Sequence, residues 1–323
     1  MVQAMIIMSY ILGMWQGSQF VGMGKHLLEI PRVEEMFRVA KTILGYDLMD
    51  KCLHGPSKEL NSTEICQPAV FVTSLAAVEK LREINPNAIN HCVATAGFSV
   101  GEITALVFAG VLKFEDAALR LVNVRAKAMQ AASEMVPSGM MTVFLRPDAR
   151  IKFACQAAAK WCEKQGVEMP VCGVGNYLFA GCKVISGHME ALKFIETHAK
   201  DFGIKKYKYL PVSGGFHTEL MKPAAQVVEK ALNSVNFSQP RVQLYLNTTG
   251  HRYRGPAEKL KDAIVRQIYR PVLWEQSLHQ LYSRSPQIEE FPSTYECGPG
   301  TQLKSMLKVI NGKAGKQCTS ISV

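Results

Sequence analysis

Gly97-Phe98-Ser99-Val100-Gly101-Glu102 is the stretch around which the rest of the chain is organised. The apolar run before it, His91 to Ala96, is short enough for a buried strand, and Ile103 to Val111 after it carries small and apolar residues at helical spacing. Strand, Gly-x-Ser-x-Gly corner and helix together make a nucleophile elbow. The glycines allow a sharp turn and close strand–helix packing, so the serine hydroxyl stands exposed above the sheet. The Val100 amide, at the helix N-terminus, then faces the place where an oxyanion would form. Alone, the motif fits a plain βα turn carrying a serine equally well.

The 323 residues suffice for one large domain or two smaller ones, and 48% hydrophobic with 20% charged residues fits a soluble globular protein. A formal charge of +10 and a pI near 9.1 favour an anionic partner: nucleic acid, acidic membrane, phosphorylated cofactor or acidic protein. A merely solvated basic surface explains the same charge. The cations are scattered apart from Lys205-Lys206-Tyr207-Lys208 and His251-Arg252-Tyr253-Arg254. Nine cysteines without a Cys-x-x-Cys pair read as free thiols in a reducing compartment, not as a disulfide frame or a metal site. His188-Met189-Glu190 begins like a deaminase motif, but no Pro-Cys-x-x-Cys follows. Met5 to Trp15 is too short to span a bilayer and lacks the marks of a signal or transit peptide, so it is expected to be the first core strand.

Along the chain, Gln16-Gly17-Ser18-Gln19 follows that strand as a place where backbone amides could point at a ligand. The third glycine of a dinucleotide fingerprint is missing. Helices are expected over 31–44, 67–84 (starting after Gln67-Pro68) and 115–134, the last carrying Arg125, which fits a surface position or a ligand contact. After Pro137-Ser138-Gly139 the order becomes strand (140–145), helix (148–165), strands (171–177 and 183–187), helix (189–202) and strand (205–210). This βαββαβ order is ferredoxin-like. It predicts a small domain, 139–209, inserted into a large α/β domain of 1–138 and 210–323. Gly214-Gly215-Phe216-His217 returns the chain to the large domain as a loop, with Thr218 as a candidate helix cap. His217 there fits a general base or a structural histidine. A strand over 242–246, a helix over 257–267, a turn through Arg270-Pro271-Val272-Leu273-Trp274, a last strand at 294–297 and a final amphipathic helix complete the reading.

Gln16 to Gln19, Gly97 to Glu102, Arg125, Asn176, Gly215-Phe216-His217, Gln267 with Pro271-Val272 and Trp274, and Glu296 to Gly300 occur in the order and approximate spacing of the malonyl-CoA:acyl-carrier-protein transacylases. The chain resembles that family from about Leu12 to about Lys308, and most resembles its animal mitochondrial members. The resemblance implies an α/β-hydrolase-like large domain with a parallel sheet, and ping-pong transfer of malonyl from CoA to the phosphopantetheine thiol of acyl carrier protein, in type II fatty acid synthesis. It implies Ser99 as nucleophile, His217 as base oriented by the Gln267 carbonyl, and the amides of Gln16 and Val100 as oxyanion hole. Arg125 would grip the malonyl carboxylate, with Gln267 and Asn176 also at the substrate. No metal and no separate cofactor are implied, since the CoA thioester is itself the substrate. Nor are nucleic-acid binding or membrane insertion; a monomer in the mitochondrial matrix is expected, with an acidic carrier protein as partner. Met14-Trp15 replace the small residues usual before Gln16. A serine esterase or thioesterase of α/β-hydrolase type shares the corner, but expects an acid between serine and histidine and gives Arg125 no task.

Overall fold

The computed structural model describes residues 9–14, 16–284 and 290–323; most of the Met5–Trp15 run's first half, and Trp15 itself, lie outside them. The first sheet is parallel throughout: β1 (Ser9–Gly13), β2 (Cys92–Gly97), β7 (Gln243–Tyr245), β9 (Ser293–Cys297) and β10 (Cys318–Ile321), in the order β10-β9-β1-β2-β7. Parallel neighbours need crossover connections, and helices supply them. β2 is buried along nearly its whole length, which is why it reads as a mostly apolar run, broken only by the buried Thr95, and not as an alternation.

The second sheet has the order β6-β3-β5-β4-β8, built from β3 (Ser138–Leu145), β4 (Cys172–Phe179), β5 (Cys182–His188), β6 (Ile204–Tyr209) and β8 (Val272–Leu273). Its first four strands pair antiparallel, and β8 joins β4 in parallel. Side chains alternate across the pleat. Met141, Val143 and Ile185 pack with the helices Ile151–Lys164 and Met189–Thr197 in a core of their own. Met140 and Val184, on the other face, belong to the main core.

Several elements depart from the sequence reading. The segment Val272–Leu273, expected as a turn, is β8, so a strand from the C-terminal part of the chain completes the second sheet. The helix expected to start after Pro68 starts at Thr63 and carries Pro68 inside it. Proline removes the amide that would bond the Glu64 carbonyl, and the Tyr46 hydroxyl donates to that carbonyl instead, at 3.4 Å. The helix expected to run to residue 202 stops at Thr197. A π-turn, Phe114–Ala118, precedes the helix Leu119–Met135. Thr218 stands before the short helix Glu219–Met221, but its hydroxyl turns back to the Gly215 carbonyl at 2.6 Å and caps nothing. Ser293–Cys297 is not the last strand, because β10 follows the helix Gln302–Ile310 and extends the parallel sheet. Glu296 accepts the amide of Leu303 at 2.7 Å and so seats that helix beside β9.

Candidate active site

β2 ends at Gly97 and the helix Val100–Phe108 begins three residues later, so the chain must reverse across Phe98 and Ser99. The corner closes only because its glycines lack side chains. A Cβ on Gly97 would stand 1.8 Å from the Gly101 carbonyl oxygen, and one on Gly101 2.4 Å from that of Met14. Ser99 itself takes φ 54°, ψ −111°, a conformation that costs on the order of 1–3 kcal/mol and persists only where surrounding groups impose it. The Phe98 ring packs against Trp274, with ring centroids 5.5 Å apart. The amides of Gly101 and Glu102 bond the carbonyls of Phe98 and Ser99, leaving Val100 as the leading amide of the helix.

His217 reaches this corner from the loop after β6, also at a positive φ of 61°. The second sheet holds that loop. Ser186 Oγ donates to the Phe216 carbonyl at 2.6 Å, and the Gly215 amide donates to Ser138 Oγ at 3.0 Å. His217 Nε2 lies 3.0 Å from Ser99 Oγ, and Nδ1 lies 2.8 Å from the Gln267 carbonyl oxygen. A carbonyl only accepts, so Nδ1 carries the proton and Nε2 offers its lone pair to the serine hydroxyl. The imidazole is buried, and burial, then the neighbouring Arg125 cation, pushes its pKa down to about 4. At neutral pH it is an uncharged acceptor.

Arg125 comes from the middle of the helix Leu119–Met135 and is 1% exposed. Nη2 donates to Ser99 Oγ at 3.1 Å and to Gln267 Oε1 at 2.9 Å, while Nη1 donates to Gln67 Oε1. Its Nε has no hydrogen-bond partner, and each of these acceptors is neutral. Burial pushes its pKa down to about 10, with Glu102 opposing, which leaves it charged at neutral pH. A buried cation bonded only to neutral acceptors is poised for an anion.

Ser99 and His217 border a cavity of about 100 Å³ that Gln16 and Asn176 also line, with apolar walls from Met129, Met140, Leu210 and Phe216. The Asn176 side-chain oxygen Oδ1 is buried without a hydrogen-bond partner. The Gln16 side chain bonds Thr63 Oγ1 at 3.2 Å, and that hydroxyl in turn meets Ser213 at 2.5 Å, tying the Gln16 and Ser213 loops to the first residue of the helix that starts at Thr63. Arg125 does not line this cavity; its guanidinium stands behind Ser99 Oγ. Among the described residues no cluster of histidine, cysteine or carboxylate groups could hold a metal ion.

Two residues at this site escaped the sequence reading. Gln67 looked like punctuation before a proline; placing the helix start at Thr63 puts it inside the helix, where it meets Arg125. Asn247 lies just beyond β7 with nothing in its sequence context to mark it, yet it bonds both Ser99 and Gly97.

The chain matches the family model for the acyl transferase domain over residues 14–288. It is 48% identical over 315 residues to the mitochondrial malonyl-CoA-acyl carrier protein transacylase of Homo sapiens, covering 98% of this chain and 80% of that protein. It is 38% identical over 296 residues to the malonyl CoA-acyl carrier protein transacylase of Escherichia coli K12, covering 91% of this chain and 90% of the other. The crystal structure of the malonyl-CoA:acyl carrier protein transacylase from Xanthomonas oryzae superposes with a TM-score of 0.86 at 29% identity, over 98% of this chain and 95% of that one. A structure of a type II PKS acyl-carrier protein in complex with its malonyl-transacylase aligns with a TM-score of 0.82 at 32% identity, over 98% and 95% of the two chains. With a nucleophile elbow, a carbonyl-oriented histidine and a buried arginine in one site, and relatives matching along nearly its whole length, the chain belongs to the acyl transferase family, among the malonyl-CoA:acyl carrier protein transacylases.

Proposed function

We propose that the chain transfers malonyl from malonyl-CoA to the phosphopantetheine thiol of acyl carrier protein through a malonyl ester on Ser99. The observation that carries this reading is the contact set of Ser99 Oγ, which meets a neutral histidine at 3.0 Å and a buried arginine at 3.1 Å. In the first step Ser99 Oγ attacks the thioester carbonyl and its proton passes to His217 Nε2. The C–S bond breaks, and the departing CoA sulfur takes that proton. In the second step the carrier thiol gives its proton to His217 and attacks the ester, and Ser99 recovers its hydrogen. Both steps pass through an oxyanion, for which the amides of Val100 and Gln16 are the donors; one such donor is worth on the order of 10²–10³ in rate.

Arg125 receives the malonyl carboxylate, which displaces a neutral acceptor and gives the guanidinium a charged partner. Gln267 serves twice, its carbonyl orienting the base and its side-chain oxygen steadying Arg125. Asn176 offers a side-chain amide to the acyl group from the cavity wall. The thioester is already activated, so the chemistry asks for no cofactor. In this reading the large domain, 1–138 and 210–323, is α/β-hydrolase-like, and an inserted ferredoxin-like domain, 139–209, forms the other wall of the cleft; the strand order of the second sheet supports the insertion. The protein acts as a monomer in the mitochondrial matrix; the names of its animal relatives support the mitochondrion as its location. No helix among the described residues is long and apolar enough to cross a membrane.

The test is intact-mass and peptide analysis after incubation with malonyl-CoA. A malonyl adduct on Ser99, discharged by holo acyl carrier protein, is the expected result. Hydrolysis of simple esters with no transfer to the carrier thiol would overturn it in favour of an esterase.

A further inference from the structure

We propose that Asn247 is a positioning residue for the nucleophile, its side-chain amide clamping the strained Ser99 corner while Glu102 holds Asn247 in register. This deepens the reading of Ser99 as nucleophile and rests on it. β7 runs parallel to β2 as its neighbour, so the chain leaves β7 at the end of the sheet where β2 turns into the elbow. There Asn247 Oδ1 accepts the Ser99 amide at 2.7 Å, and Nδ2 donates to the Gly97 carbonyl at 2.6 Å. One short planar group thus bridges the last residue of the strand and the nucleophile. Doing so takes a donor and an acceptor side by side, which among short side chains only asparagine has at neutral pH.

The clamp is itself held. The Asn247 amide donates to Glu102 Oε1 at 2.7 Å, and its carbonyl accepts the Leu273 amide at 2.8 Å. Glu102 sits in the first turn of the helix that Ser99 starts, so the lock joins the elbow to β7 from its far side. The Ser99 carbonyl is taken by Gln267 Nε2 at 2.6 Å. Both peptide groups of the nucleophile are therefore held by side chains from other segments, as its backbone conformation requires. Asn247 is 1% and Glu102 2% exposed, and Glu102 Oε2 has no hydrogen-bond partner. Burying a carboxyl half-satisfied is costly; holding Asn247 is the task that accounts for it. Asn247 makes no hydrogen bond to Ser99 Oγ or to the imidazole, so it acts through geometry alone.

The experiment compares Asn247→Ala and Asn247→Asp with wild type in three readouts: single-turnover acylation by malonyl-CoA normalised to titrated sites, KM for malonyl-CoA, and the rate of labelling by a neutral fluorophosphonate. The expected loss for Asn247→Ala is on the order of 10²-fold in acylation per site, the scale of a small misplacement of a reacting atom. Fluorophosphonate labelling should slow in parallel, and KM should stay close to wild type. Asn247→Asp keeps the acceptor for the Ser99 amide but sets an anionic oxygen against the Gly97 carbonyl. Its rate should recover toward acid pH, where a protonated carboxyl again offers a donor; Glu102 bonds residue 247 directly, and Arg125 and His217 connect to it through Gln267. A normal rate per titrated site, a KM that rises in step with the rate loss, or a flat low rate for Asn247→Asp would each overturn the proposal. Should Asn247→Ala fail to fold, the acid recovery of Asn247→Asp decides alone. If wild type takes the fluorophosphonate but not malonyl, the malonyl reading fails, while the labelling rates still test Asn247.

Discussion

Two charged regions of this molecule follow opposite rules. Around Ser99 the ionisable side chains of Glu102, Arg125 and His217 are each at least 97% buried and held by short hydrogen bonds. Along β6, at the outer edge of the second sheet, Lys205, Lys206 and Lys208 stand in solvent, and no carboxylate pairs with them among the described residues. In the dry site an interaction is strong but short-ranged and geometric, so losing one group is decisive and salt matters little. At the wet edge each charge is worth little by contact, but its field reaches an approaching partner and is screened by salt. Substitutions in the two regions should therefore differ in size, in salt dependence and in the kinetic constant they change.

The largest effects belong to the dry region. Ser99→Ala and His217→Ala should each lower malonyl transfer by roughly 10⁴–10⁶-fold with thermal stability nearly unchanged. Because the two act as one unit, the double variant should be scarcely worse than either single one. Losses that multiply in the double variant would separate the pair. Arg125→Ala is expected to act on selectivity. The ratio of acyl-enzyme formed from malonyl-CoA to that from acetyl-CoA should fall by roughly 10–100-fold, the scale of one charge-assisted pair. Neutral acyl groups should gain relative to malonyl, because they no longer leave a buried guanidinium unmatched. An unchanged ratio would take Arg125 out of the acyl pocket.

How much of this was legible in the sequence follows the same division. The elbow could be read because sterics leave it few spellings: only glycine fits where Gly97 and Gly101 meet backbone atoms. Helix order could be read where burial is one-sided, as in Pro31–Leu44, and β3, packed on both faces, could be read as a short apolar run. β8 and β10 could not, being short and recruited by tertiary pairing more than by their own pattern. Arg125 and His217 could be singled out as candidates, but their roles, and Gln267 altogether, came from family resemblance. Their convergence spans 142 residues between Arg125 and Gln267, and no local pattern encodes it. Gln67 was hidden by a proline rule that holds for the first turn and fails when another side chain satisfies the freed carbonyl. Asn247 was hidden because a clamp on a distant backbone leaves no periodicity in the chain that supplies it.

A smaller effect inside the dry region is a displaced pH profile. The proposed base works as neutral imidazole, and its pKa in the folded enzyme is about 4 against an ordinary 6.5. Activity in kcat/KM should therefore hold as pH falls through 6.5 and be lost only near 4, since the lowered value extends the neutral form toward acid. Arg125 contributes to that lowering, so the acid limb should move upward in Arg125→Ala. It should also lie higher in kcat than in kcat/KM, because a bound malonyl carboxylate offsets the arginine charge. An acid limb near 6.5 in wild type would mean that the histidine is more hydrated than its burial indicates.

The smallest effect lies at the wet edge, and there the strand register sharpens the choice of residues. Lys208 pairs with Thr142 and Lys206 with Phe144 across β3, so each shares a sheet face with its partner. Thr142 lines the cavity that Ser99 and His217 border, which puts Lys206 and Lys208 on that face of the sheet. Tyr207 and Tyr209 point the other way and donate to Glu196 at 3.1 and 2.7 Å. Lys205 falls at the register shift of β6 and pairs with no residue of β3, which makes it the internal control. Reversing Lys206 and Lys208 to glutamate should lower kcat/KM for an acidic carrier protein by on the order of 10-fold at low ionic strength, through slower association. Reversing Lys205 alone should do less. Hydrolysis of the malonyl-enzyme by water, which needs no steering, should be almost unchanged in both variants. Added salt should bring mutant and wild type together, because at about 0.1 M the field is screened within roughly 10 Å. A defect that persists undiminished at high salt, or that slows attack by water as well, would mean these lysines act through the fold, and the two regions would no longer differ in kind.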